Sequence, residues 1–472
     1  MTLARVKFFL VILLVLSISL YLFKSVFNYY YFGDDWFNFK ITKVDSFGDY
    51  LAFFKFREDI PVYRPIALQT FFFFLNTFFG FNAFVVRLIN FALLAFSYML
   101  TMNLLTKISG SKQIGFLASS IWVTASIHFM NLAAINYNLI GTFFWLITFL
   151  LFIKFCQTQK KIYYFSTFIF FLLSIGSFEL ALTWIPIAIF YYLFIIENSF
   201  SRTVKIFFPY MITATIYLTL RLIYVKFPPI VEYYVAFNLD SVKAFFWYIL
   251  WAFNIPEEFK KQIIDNLIIF NEVFLRDYWT LVIKSFMGAF AIVILGIIYP
   301  IYRIYKVKQS VNFRLVFFAI FWFCVTIFPV LLLPNHNFIM YLTLPSIGFY
   351  FMVSYLILQS QKAILPFLIF FIWLFVSLTT INFYKVNFFF NEAQRFSRNF
   401  SLGVTKQFPI LPKNSVILFQ LNDSRYKQAL FGSNAIKALY ADPSLLIYYN
   451  KGDLFSDLKK GIKGPVYIYI PE

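Results

Sequence analysis

The sequence predicts an all-α, polytopic membrane protein of about eleven transmembrane helices, followed by a small α/β domain. Three observations predict it. Of 472 residues, 61% are apolar and only 13% charged, whereas about a quarter of the residues in a soluble domain carry charge. Apolar runs of roughly 18 residues or more recur along the chain, each long enough to cross a hydrocarbon core of about 30 Å. Lys and Arg gather in the short links between those runs. This composition excludes an ordinary water-soluble enzyme and a disordered chain.

The first apolar run, 8–23, follows Arg5 and Lys7 and ends in Leu22-Phe23-Lys24-Ser25 without a small-residue cleavage site, so it reads as an uncleaved helix. Further spans are expected at 83–105, 114–131, 138–156, 162–178, 180–196, 206–224, 279–301, 315–333, 338–358 and 363–385. The links bearing Lys107, Lys154, Lys160, Arg202, Lys205, Arg303, Arg314 and Lys362 share a side with Arg5 and Lys7. That is the positive-inside pattern, so the expected N-terminus is cytoplasmic and, with an odd number of crossings, the C-terminus lies outside the cell membrane. Acidic residues barely influence orientation and so test it independently. Of 21, only Glu197 falls on the cytoplasmic side, and the others fall in outer loops 28–82 and 225–278, at Glu179 and in the tail. Two apolar segments, 65–79 and 244–254, are too short to span and are expected to lie at the outer interface. The membrane domain is thus expected over 1–400. Residues 405–472 read as a small extracytoplasmic domain with strands at 415–421 and 466–470 and a helix at 434–440.

The net charge of +19 is accounted for by topology and anionic lipid headgroups rather than by nucleic acid. Two cysteines, Cys156 and Cys324, and two histidines, His128 and His336, imply neither a disulfide framework nor a zinc cage. No cofactor is indicated. A carboxylate pair can hold a hard divalent cation, but such ions want more oxygen ligands than the sequence assigns.

The residues that can carry chemistry converge on the outer side. Asp34 and Asp35 stand side by side a few residues after the first span. Adjacent carboxylates at a low-dielectric surface repel one another and lose hydration, which suits a general base; the plainer alternative is a solvated helix cap. Arg64 precedes Pro65, and Arg87 lies some five residues inside the second span, where it either pairs or snorkels. Glu179, at an outer hairpin, is a candidate partner for Arg64 or Arg87. Arg221, near Lys226, is either a snorkelling cation or a clamp for phosphate oxygens, which match guanidinium forks. His336 sits in Leu333-Pro334-Asn335-His336-Asn337, and His128 lies near Asn131, Asn136 and Asn138.

Taken in order, Asp34-Asp35, Arg64-Pro65 with Asn76 and Gly80, Glu179 before Pro186, and Tyr341-Leu-Thr-Leu-Pro345-Ser346 resemble the GT-C membrane glycosyltransferases, in the branch containing protein O-mannosyltransferases and their bacterial relatives. The resemblance covers roughly residues 28–350. It implies transfer of a hexose or pentose from a polyprenyl-phosphate carrier to a lipid, glycan or protein acceptor on the outer face, with Asp34 as base and Asp35 as its partner or substitute. Together with the polar groups that converge on the same side, Arg64, Arg87, Glu179, Arg221 and His336 are the expected substrate-binding residues. The chain departs from that pattern in three places: no Lys accompanies Ser177-Phe178-Glu179, Met340 stands where an Arg is common, and Arg87 stands where His is common. The rival expectation is a transporter or lipid-linked saccharide flippase, which would place paired charges at the bilayer midplane and show repeated halves. Here the charges gather at one face and no repeat is visible.

Overall fold

The computed structural model describes residues 3–57, 60, 62–134, 137–196, 199–225, 231–264, 269–387, 389–419, 424–459 and 464–470. Lys226, Glu197 and Asn136 lie outside the described residues. Among those described, seven helices are long and apolar enough to cross a membrane: Val6–Asn28, Ala83–Ser109, Tyr137–Thr158, Phe200–Tyr224, Glu272–Lys306, Phe313–Leu331 and Ile364–Asn387. The chain is a multi-pass membrane protein. Each of the seven falls on an expected span, but the expected count of eleven is not established.

The remaining four expected spans fall on shorter pieces. Those at 162–178, 180–196 and 338–358 correspond to the apolar helices Lys161–Ile175, Glu179–Ile195 and Pro345–Gln359. The segment expected at 114–131 is broken into helices Lys112–Val123 and His128–Ala133. The break coincides with a long-range contact. The Ser126 backbone N–H and hydroxyl both donate to Asn254 Oδ1, each at 2.8 Å, so this turn is recruited by a distant loop instead of continuing the helix. The short segment at 65–79 is helical, as Pro65–Thr70 and Phe71–Phe79, and 244–254 falls largely within helix Leu239–Ala252.

Helices pack closely where small residues face a neighbour, as expected where oil-like lipid supplies no drive for association. A Cβ on Gly348 would meet the Ala319 carbonyl oxygen at 2.7 Å, so helices Phe313–Leu331 and Pro345–Gln359 touch backbone to backbone there. Beside this crossing the Trp145 and Trp322 rings lie 4.8 Å apart. Large apolar side chains such as Phe165, Phe317 and Phe371 are exposed on the outside of the bundle, as a lipid-facing surface requires.

The tail carries a three-stranded parallel sheet with Val416–Phe419 in the centre, flanked by Leu446–Tyr448 and Val466–Tyr469. Val416 pairs with Leu446 on one side and Val466 on the other. Parallel strands need crossovers, and helices Asn434–Leu439 and Lys451–Lys459 lie in these connections. The central strand is apolar and buried along its whole length, as a strand covered on both faces must be. Apolar packing is continuous from the membrane helices into this sheet.

Candidate functional site

The first span ends in a 3₁₀ turn, Lys24–Asn28, and the chain then reaches Gly33, whose φ of 56° reverses its direction into helix Asp34–Ile41. Both acids occupy the first turn of that helix, where the aligned peptide dipoles favour negative charge. Successive helical residues point about 100° apart. The two carboxylates therefore meet different surroundings.

Asp35 faces inward and is 1% exposed. Its Oδ2 accepts from the Phe32 backbone N–H at 3.3 Å and from Arg87 Nη2 at 3.4 Å. Arg87 is equally buried and also donates to the carbonyls of Tyr29, Tyr30 and Ala134. Burial pushes the Asp35 carboxyl up to about 6, with the Arg87 charge opposing the rise and the Asp34 charge adding to it. The sequence left pairing or snorkelling open for Arg87; it pairs.

Asp34 faces the other way. It is accessible to water yet crowded by the surrounding protein. Crowding by protein raises its pKa above the ordinary carboxylate value, and the nearby Arg64 guanidinium limits the rise. Among the described residues, none donates a hydrogen bond to its carboxylate.

Arg64 is held firmly. The Ile66 N–H bonds to the Gly176 carbonyl at 3.0 Å, docking segment 64–66 on the turn that precedes Glu179. Arg64 Nε and Nη2 approach Glu179 Oε2 at 2.9 and 2.8 Å. Burial opposes the Arg64 charge, but the Glu179 carboxylate outweighs it and the pKa is raised. The guanidinium carbon lies 3.8 Å from the centre of the Tyr137 ring and 5.6 Å from that of Phe178, a cation–π arrangement in a partly dry site. Glu179 uses its second oxygen, Oε1, to accept from Arg221 Nη2 at 3.2 Å. One carboxylate thus orients two guanidinium groups.

Tyr341 stacks on Phe178 with ring centres 6.3 Å apart and lies within electrostatic reach of Arg64. His336 is half-buried, its ring 4.6 Å from Tyr233, 4.8 Å from Phe338 and 6.0 Å from Tyr341. It therefore borders the arginine cluster through aromatic rings. His128 is fully buried with Nε2 2.9 Å from the Trp122 carbonyl oxygen, and Asn131 donates to Thr343; both bonds lie inside the bundle.

The structure thus joins Arg64, Glu179 and Arg221 in one ion-pair network, with Asp34 within electrostatic reach of Arg64, Asp35 paired with Arg87, and His336 adjoining through Tyr341. Sequence reasoning missed Tyr137, whose ring is the floor under Arg64, and Glu257. The latter is buried, with its carboxylate accepting from the Ile339 N–H at 3.1 Å and its own N–H donating to Tyr384 Oη at 3.1 Å. Its sequence setting, Glu257-Glu258-Phe-Lys260-Lys261, reads as an exposed charge run. Among the described residues no three His, Cys, Asp or Glu side chains gather as a metal ion would require. No protein-family model matches the chain, and no curated protein is significantly similar to it.

Proposed function

We propose that this protein is an integral membrane glycosyltransferase of the GT-C type, moving a hexose or pentose from a polyprenyl-phosphate carrier to an acceptor hydroxyl with inversion at the anomeric carbon. One juxtaposition supports the reading: an accessible carboxylate, Asp34, within electrostatic reach of a guanidinium, Arg64, that Glu179 orients beside Arg221.

In this reading Asp34 takes the proton from the acceptor hydroxyl. The hydroxyl oxygen forms its bond to the sugar C1 as the C1–O bond to phosphate breaks, and that electron pair leaves on the polyprenyl phosphate. Arg64 and Arg221 counter the charge that develops there. Donors held in place before the reaction contribute about 3–4 kcal/mol each to such a step. Glu179 supplies that fixation, and the rings of Tyr137, Phe178 and Tyr341 keep the dielectric low around it. Asp35, sealed behind Arg87, holds the helix that presents Asp34 rather than reacting itself.

The Lys and Arg distribution supports placing this site on the outer face, with the expected eleven crossings and the 405–472 domain outside. The polyprenyl chain would lie along the apolar flank of the bundle, which exposes many Phe and Leu side chains. The test is purified protein with a panel of polyprenyl-phosphate sugars and candidate acceptors, scored for release of the carrier. Release that disappears in Asp34→Asn is expected, and an intact carrier with every donor overturns the reading.

A further inference from the structure

The helix bearing Asp34 is gripped from one side by a segment nearly four hundred residues away in the chain. Tyr30 N–H donates to Gln394 Oε1 at 3.3 Å, and Trp36 Nε1 donates to Ser397 Oγ at 2.7 Å with both residues fully buried. The Phe32 ring is buried against Ala393 and Ala429 and lies 4.8 Å from the Phe390 ring. Gly33 N–H donates to the Ala429 carbonyl at 2.7 Å. Ala429 ends helix Ser424–Ala429, so its carbonyl has no partner within that helix and is available to bond elsewhere. On the far side of the turn, the Phe37 and Phe431 rings lie 6.0 Å apart.

These contacts fall on residues 30–37, and Gly33 is the pivot among them. Its φ of 56° and ψ of −125° set the direction in which the next residue, Asp34, leaves the chain. The partners form one packed body: Phe396 stacks on Tyr426 at 4.3 Å, and Tyr426 packs on Phe419 of the central strand at 4.6 Å. A displacement of that body is transmitted to Gly33 through a backbone hydrogen bond and a buried indole.

We propose that helix Phe389–Gln407 and residues 424–431, packed against the parallel sheet, form a positioning clamp for the proposed base, with Ser397, Trp36 and Ala429 as the positioning residues that set where the Asp34 carboxylate stands relative to Arg64. This rests on the transferase reading. A misplacement of about 1 Å at a reacting group costs on the order of a hundredfold in rate, so a clamp of this kind governs turnover without touching substrate.

The test is a cycle of Trp36→Phe, Ser397→Ala and the double variant in the full-length protein. Each single change removes the same hydrogen bond, so the clamp predicts a kcat lowered by roughly tenfold or more in both, with no further loss in the double variant and a donor KM within about threefold of the parent. The acid limb of the kcat profile should also move, because the distance from Asp34 to Arg64 changes. A second readout needs no turnover: thiol labelling of Asp34→Cys, in a chain carrying Cys156→Ser and Cys324→Ser, should change several-fold in rate when Ser397→Ala is added. Altered labelling without carrier release in the parent supports the clamp and overturns the transferase reading. Unaltered labelling, or activity that falls only in step with the folded fraction, overturns the clamp.

Discussion

Arg87 Nη2 stands 3.4 Å from Asp35 Oδ2, and each side chain is only 1% exposed. The guanidinium spends its remaining donors on the carbonyls of Tyr29, Tyr30 and Ala134, so it ties the second span to the entry of the Asp34 helix. Arg87→Met leaves a buried carboxylate and three carbonyls unpaired, and breaking such a pair from one side costs about 3–5 kcal/mol. A loss of that size is expected in the thermal unfolding of the detergent-purified protein. Arg87→Met with Asp35→Asn removes both charges together and should recover a large part of it. Arg87→Lys should fall nearer to the Met variant, since one ammonium does not reproduce a planar fork aimed at four acceptors. A double variant no more stable than the single one contradicts this account.

Asp34 provides a prediction with a definite sign. Its carboxyl is raised by the protein around it, and the Arg64 charge holds that rise in check. A base must be deprotonated, so carrier release is expected to fall as pH drops through a pKa above the ordinary carboxylate value. Arg64→Gln withdraws the restraining positive charge, and the acid limb should then move to higher pH, separately from any loss of phosphate binding. Initial rates measured under saturating donor across pH 4.5–8 read this directly, and superimposable acid limbs in the two proteins would falsify the proposed coupling.

Arg221 is placed by Glu179 but is not needed to hold Arg64, which contacts the other carboxylate oxygen. Arg221→Ala is therefore expected to fold normally while losing about a hundredfold in kcat/KM, the effect typical of removing one preorganised donor. Arg221→Lys should restore part of the activity by restoring the charge without the fork. Glu179→Gln is expected to be worse than Arg221→Ala, because it frees both guanidinium groups at once. The comparison is made on carrier release with protein matched for folded fraction by size-exclusion chromatography. Equal activity of Glu179→Gln and the parent protein would remove the bridging role.

The long apolar runs were legible because spanning length is a local property: all seven helices of that length lie where hydropathy places them. The broken segment at 114–131 was not legible, because its break is made by Asn254, 128 positions away from Ser126. Strands at 416–419 and 466–469 and the helix at 434–439 were foreseen, whereas Leu446–Tyr448 is three residues long and shows no periodicity to detect. Placing Glu179 at the same end of the bundle as Arg64 and Arg87 made it a candidate partner for either, and the structure selects Arg64 while Arg87 pairs with Asp35. That Asp34 is open and Asp35 sealed did not follow, since adjacent identical residues differ only through what surrounds them. Arg221 reads from sequence as a snorkelling cation or a phosphate clamp, and its contact with Glu179 did not follow because the two lie 42 positions apart. Glu257 was missed for a related reason: its burial depends on Ile339 and Tyr384, which are remote in sequence.

Glu257 and Glu258 carry the last prediction, which concerns stability and not turnover. Burial pushes Glu257 up to about 7, opposed by the Ile339 N–H and by Lys261 and Lys260. It pushes Glu258 up to about 8, and the Glu257 charge adds to the rise. Tyr248 and Tyr384, on the neighbouring helices, also lie within electrostatic reach of Glu257. A carboxyl whose folded pKa exceeds its unfolded value binds its proton more tightly in the folded chain, so between the two pKa values stability declines as pH rises. The contribution of this pair is fully present below the ordinary value of 4.5 and is lost as pH passes through about 7 for Glu257 and about 8 for Glu258. Glu258→Gln is neutral at every pH and should flatten the decline, with a thermal midpoint near that of the parent at pH 5 and above it at pH 8. Glu257→Gln should flatten it less cleanly, because the amide must still accept from Ile339 with a single oxygen. Thermal melts of the three proteins at half-unit pH steps decide it. If the parent and both Gln variants melt in parallel from pH 5 to 8, the buried pair does not titrate in this range.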